Sequence, residues 1–178
     1  DRCMGYFGAK QSTGQIVNFF GDRNRLYRVI NRVMTDVSRP GGYNADGDAA
    51  WVFDQYNDYV IASCRGAPAQ VLELGGTSEF ADLGGGAGEG DTCGRIGPHF
   101  LIAQGRELRI SAFNNPTDYV PAPDTQAAIA YLDQRGGLCQ RITGGTDSGA
   151  IFQERMISRM TYIGGAAAFD LTPIEFNR

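Results

Sequence analysis

Lysine, histidine and tryptophan each occur once in the 178 residues, as Lys10, His99 and Trp51. With arginine supplying every other cation and a formal charge of −4, no basic stripe is available for a phosphate backbone, and nucleic acid is excluded as a partner class. A lone histidine and the absence of any Cys-x-x-Cys leave no ligand set for a metal. His99 follows Pro98 and precedes the apolar run FLIA, which reads as a structural position rather than a catalytic one. No run approaches the ~18 apolar residues of a membrane-spanning helix, so no transmembrane segment is expected. The four cysteines (Cys3, Cys64, Cys93, Cys139) lie far apart, and Asp1 follows no initiator methionine. Together these read as a mature secreted, extracellular chain. Two disulfides are expected, in one of three pairings, with four buried thiols as the alternative. Internal repeats are absent, and Asn115-Pro-Thr fails as a glycosylation sequon because proline fills its middle position.

Glycine is abundant, 25 residues, and clusters as in GGTSEFADLGGGAGEG, Gly75 to Gly90, which marks loops between short elements. The Gly84 to Gly90 run has no preceding strand, no following helix and no GKS or GKT ending, so it reads as a surface loop rather than a phosphate cradle. NADGDAAWVFD, Asn44 to Asp54, lacks the central glycine and closing glutamate of a calcium loop and reads as an acidic turn. Apolar runs of strand length occur at RLYRVI, AAWVFD, NDYVIASC, HFLIAQ, ELRISAF and RMTYIGG, each bounded by Gly, Pro, Asn or Asp. Helices are expected at Met34 to Arg39, at Ala67 to Leu74 with Pro68 in its first turn, and in part of Gly149 to Arg159. The composition fits one compact α+β domain.

Three segments, in order, carry a family resemblance. LYRVINRVMTDVSRPGG, Leu26 to Gly42, has Leu-Tyr-Arg, a second arginine four residues after the first, and a closing Gly-Gly. QYNDYVIASCRGAPAQVLELGG has Ser63 at the last place of a Ser-Thr-Ser-like triplet. AFNNPTDYVPAPDTQAAIAYLDQRGGLCQRI holds Tyr119, Pro121 and Pro123 in a Tyr-x-Pro-x-Pro frame, then Gly136, Gly137 and Ile142. The set resembles the catalytic A1 chain of the cholera toxin and heat-labile enterotoxin group, the mono-ADP-ribosyltransferases with secreted fungal relatives. The resemblance implies short strands in two small sheets around a cleft, a few short helices, residues 1–25 as an N-terminal extension and 26–178 as one transferase-like domain. It also implies NAD as the cofactor, Arg28 as its ligand and Ser63 as a brace of its site.

Thr125 and Ala127 stand where the family has its two catalytic glutamates. Breaking the ribose–nicotinamide bond builds positive charge on the sugar, and losing one preorganised carboxylate there costs about 3 to 4 kcal/mol of barrier. Ile30 replaces a further family acid, and the family's histidine has no counterpart before Tyr59. The expectation is a cytotoxin-like protein whose transferase chemistry and NAD binding are weakened or lost. Two alternatives stand beside it. One is an active transferase using Arg28, Ser63 and a displaced carboxylate such as Asp124; the other is a disulfide-stapled effector that binds a host protein through its loops. No delivery subunit is visible in the chain.

Overall fold

The computed structural model describes residues 2–76, 78–165 and 167–176. Asp1 of the expected extension, Thr77 of the glycine-rich run, and Ala166, Asn177 and Arg178 of the expected 26–178 domain lie outside them. Among the described residues the regular structure is sixteen strands and one 3-10 turn, Gln134–Gly136. The first sheet holds β1 (Gly5–Lys10), β2 (Ile16–Gly21), β3 (Leu26–Ile30) and β4 (Val33–Asp36). The second holds β5 (Val52–Tyr56), β6 (Tyr59–Cys64), β7 (Ala67–Glu73) and β8 (Ala81–Asp82). The third holds β9 (Thr92–Ile96), β10 (His99–Gln104), β11 (Glu107–Ile110) and β12 (Ala128–Tyr131). The fourth holds β13 (Cys139–Gly144), β14 (Ser148–Gln153), β15 (Met156–Gly164) and β16 (Ala168–Phe176). Each sheet is an antiparallel meander whose spatial order is the chain order.

Turn chemistry explains most of the connections. Ile30 pairs with Val33 across Asn31-Arg32, both in the left-handed region. That is the two-residue hairpin whose twist matches its strands. Gly97 and Gly105 supply the positive φ for the equally short β9–β10 and β10–β11 loops.

The chain divides into two compact units, Asp1–Leu83 with Gly88–Gly90, and Gly84–Ala87 with Asp91–Arg178. The first unit contains the first two sheets around a core that includes Phe19, Leu26, Trp51, Val60, Leu72 and Phe80. The second contains the other two sheets around Ile96, Leu101, Leu108, Ile142, Ile151 and Met160. There β9 lies against β13 because both carry glycine at the contact. A Cβ on Gly94 would stand 2.8 Å from a methyl of Ile142, and one on Gly144 would strike the Arg95 carbonyl.

The architecture overturns the α+β expectation and the transferase resemblance built on it. Met34–Asp36 belongs to β4, Ala67–Glu73 is strand β7, and Gly149–Arg159 is divided between β14 and β15. Ala67 to Leu74 is rich in good helix formers, but it lies between two other strands of the sheet, β6 and β8. Tertiary pairing overrides propensity there. Pro68 fits because the β6–β7 register shifts at that point: Ala62 and Cys64 oppose Gln70 and Ala67, an extra residue on β7. The strand carrying Ser63 and the segment expected to follow it as a helix therefore form a hairpin. Residues 5–21, read as part of an extension, form the first two strands of the first sheet.

None of the four cysteines is in a disulfide, Cys3 being exposed and the other three buried, where two disulfides were expected. Cys64 and Cys139 are members of the first and second cores respectively. Burial pushes the Cys139 thiol up to about 12, so it behaves as a small apolar side chain.

Candidate functional site

The second unit contains an apolar groove of about 540 Å³, within the range of roughly 300 to 1,000 Å³ usual for ligand sites. One wall is β12 with Leu108 and Ile110 of β11, the other is Met160 with Phe169 and Leu171, and the loop Pro121–Ala127 closes an end. Among the described residues that line it none carries a full charge at neutral pH, in a chain where 20% of residues are Asp, Glu, Lys or Arg. A charged ligand would lose its hydration here with nothing in exchange.

The loop is held by short-range bonds. Ala122 N–H donates to the Ala127 carbonyl at 3.1 Å and the Thr125 hydroxyl donates to the Ala122 carbonyl at 3.2 Å. Gln126 completes the turn at φ +61°. Ala168, on the facing wall, sits at φ +51°. Neither is the Gly or Asn that takes this conformation cheaply, and each stores about 1–2 kcal/mol. The Gln126 amide is fixed at both ends, accepting from the Tyr162 hydroxyl and donating to the Gly165 carbonyl, each at 3.2 Å.

Behind this amide His99 is buried against Phe113, Tyr162 and Phe169, ring centroids 5.1 to 5.9 Å away. Its Nδ1 lies 2.7 Å from the Ser111 carbonyl, so Nδ1 carries the proton. Among the described residues Nε2 has no hydrogen-bond partner. Burial pulls the imidazole below its ordinary value, against the Ser111 bond. The reading of His99 as structural fits this setting.

On the rim, Tyr131 donates to Glu107 at 3.2 Å, while Glu107 pairs with Arg109 at 2.7 Å. The Arg109 bond holds the Glu107 carboxyl below its usual range. The two rim charges thus answer each other.

Strand β12 is the edge of its sheet. Leu132 N–H donates to Arg106 C=O at 2.9 Å, so by the alternation of an antiparallel ladder Ala130 and Ala128 bond inward to β11. The N–H and C=O groups of Ile129 and Tyr131 then face outward, and these residues are 44% and 69% exposed. Among the described residues four sheets have eight edge strands, and seven carry at least one Asp, Lys or Arg: Lys10, Asp36, Asp54, Asp82, Arg95, Arg141 and Asp170. β12, Ala-Ile-Ala-Tyr, carries no charge and no proline. Charge and proline are how sheet edges are kept from pairing with other chains, and β12 lacks both.

The sequence-predicted site residues are divided between the two units. Arg28 is half-buried on β3 and Ser63 is fully buried on β6, in a different sheet of the first unit. The Ser63 hydroxyl has no hydrogen-bond partner and no exposure, so it cannot touch a dinucleotide, and the pair does not fit NAD. Thr125 and Ala127 belong to the second unit, in the loop just described; Ala127 lines the groove as an apolar wall. Asp124 is in the turn rather than on a strand. Sequence reasoning missed β12 itself: four small and aromatic residues resemble core until pairing shows them at an edge.

No protein-family model matches the chain, and no curated protein matches it. Among solved structures it is similar to a 2S albumin seed protein from Dolichos, with a TM-score of 0.41 and 10% identity, covering 98% of this chain and 95% of that one. That likeness is too slight to carry a functional argument.

Proposed function

We propose that the protein is a recognition module whose second unit captures an uncharged, extended segment of a partner protein by adding it as a strand beside β12. This is the binding-class reading of the sequence without the disulfide staple. The observation that carries it is the unprotected edge of β12 opening onto a groove with no ionised lining. Each backbone bond in such an arrangement contributes about 0.5–1.5 kcal/mol net, and the four outward groups of Ile129 and Tyr131 supply affinity without sequence demand. Selectivity comes from alternate side chains of the added strand entering the groove. A charged segment is rejected because nothing there replaces its water.

The test is selection from a displayed library of short random peptides, followed by affinity measurement. Neutral, strand-forming peptides should be enriched and should lose at least about tenfold in affinity on Ile129→Pro, which blocks the edge without removing a ladder bond. Enrichment of charged peptides, or binding indifferent to this substitution in a folded variant, sinks the proposal. So does a dimer formed through β12 that peptide cannot dissociate, which would make a second copy the occupant.

A further inference from the structure

The first unit contains a second cavity of a different kind, about 550 Å³, lined by Asp22, Asn24, Arg25, Tyr27, Gly41 and Tyr43. Two stretches of backbone build it. Asp22 begins the tight turn from β2 to β3: its N–H donates to the Arg25 carbonyl at 2.9 Å, and its Oδ1 accepts from the N–H groups of Asn24 and Arg25, both at 2.7 Å. The loop through Gly41, Gly42 and Tyr43 passes against that turn, with Tyr43 N–H donating to the Asn24 carbonyl at 2.9 Å. A Cβ on Gly42 would come 2.7 Å from the same carbonyl, so only glycine allows the approach.

The side chains are held in place. The Tyr43 hydroxyl donates to Gln70 Oε1 at 3.1 Å and accepts from Arg39 N–H at 3.2 Å, while the Arg39 guanidinium lies over its ring. Arg39 and Gln70 both bond Asp82. Burial pushes the Tyr43 phenol up to about 12. Asp22 is 8% exposed, and among the described residues it forms no ion pair and its Oδ2 accepts only the Tyr27 hydroxyl, at 3.2 Å. Burial, and then Asp22, raise the Tyr27 phenol, which keeps it a donor. Arg25, by contrast, is half-exposed and engages Asp36 only loosely at 3.6 Å. The shorter bonds to Asp36 come from the Ser38 hydroxyl and N–H, at 2.6 and 2.9 Å.

A nearly buried carboxylate with unused acceptor capacity therefore lines the same cavity as a guanidinium with unused donors. A cation would be opposed by Arg25, and an anion by Asp22 and Asp36. A pair of adjacent hydroxyls satisfies both, because each donates through its proton and accepts at its oxygen. The Tyr43 ring is already covered by Arg39 and Trp51, so the recognition rests on the polar groups.

We propose that this cavity is a binding site for a saccharide, recognised through a vicinal diol by Asp22 and Arg25. The site is independent of the groove in the second unit. Methyl glycosides of mannose, galactose and glucose, titrated against the full chain with saturation transfer from protein to sugar, provide the probe. At least one glycoside should show transfer to its ring protons. Its affinity should fall at least about tenfold in Asp22→Asn, which keeps an oxygen for the turn, and in Arg25→Gln. If Asp22→Asn fails to fold, the half-exposed Arg25→Gln decides the matter alone. The proposal is overturned if no glycoside shows transfer, or if Arg25→Gln binds the sugar as well as the unaltered protein. Inorganic phosphate displacing the sugar and binding in Asp22→Asn but not in Arg25→Gln would mark an anion site. Tetramethylammonium displacing the sugar and binding in Arg25→Gln but not in Asp22→Asn would mark a cation site; either overturns the diol reading.

Discussion

The two cavities are nearly equal in volume, about 550 Å³ in the first unit and 540 Å³ in the second, yet their linings are opposite. The first is walled by turns, where Asp22 must satisfy backbone N–H groups and where polar side chains gather for that reason. The second is walled largely by strands, whose alternation points Leu108 and Ile110 of β11 and Phe169 and Leu171 of β16 into the groove. The part of a hairpin that lines a cavity thus sets the chemistry of the cavity. Turns suit ligands rich in hydroxyls, and strand edges suit another strand.

The comparison can be broken most severely at the cores beneath the sites. Phe19→Ala in the first unit and Leu101→Ala in the second truncate fully buried core side chains and should each cost about 2–5 kcal/mol, read from denaturant melting. A loss near zero in either would mean that the core there is misplaced. Next in size is a crossed pair of variants. Ile129→Pro should lower peptide affinity at least about tenfold and leave sugar binding unchanged, while Asp22→Asn should do the reverse. Any variant that lowers both affinities in a folded protein erases the distinction between the two sites.

A smaller effect sharpens the polar side. Tyr43→Phe removes a buried hydroxyl from its bonds with Gln70 and Arg39 and should cost about 1–2 kcal/mol of stability. The smallest concerns the apolar side. The His99 imidazole is held below its ordinary value, so the folded protein binds fewer protons than the unfolded chain between the two values. The stability it contributes is whole above the unfolded value of about 6.5 and is lost as pH falls through the lower folded one. Melting across that window should show the decline, and His99→Gln should flatten it.

Much of the strand pattern was legible in the sequence. RLYRVI, NDYVIASC and HFLIAQ are β3, β6 and β10 with the Gly and Asn punctuation at their ends doing the work of turns. Ala67 to Leu74 was misleading because Ala, Gln, Leu and Glu favour helix alone, and only pairing with β6 and β8 reverses that preference. The family resemblance failed for a related reason. Leu-Tyr-Arg and Gly-Gly were matched in order along the chain, but Asn31 and Arg32 fold the first segment into a hairpin, which no tripeptide match can foresee. The repetition of four meanders was hidden because backbone register repeats while side chains do not. Asp22 was visible only as a polar residue in GDRNR, and its role emerges once Oδ1 is occupied by the turn and Oδ2 is left over.

Because every sheet is assembled from neighbours in the chain, most strands find their partner a few residues away, with little loop entropy to overcome; β12, which joins β11 across residues 111–127, is the exception. Such wiring lowers the mean sequence separation of contacts below that of sandwiches and barrels with crossing connections. Refolding after dilution from denaturant should accordingly be fast for an all-β chain, starting from tight hairpins such as Leu26–Asp36 and growing outward strand by strand.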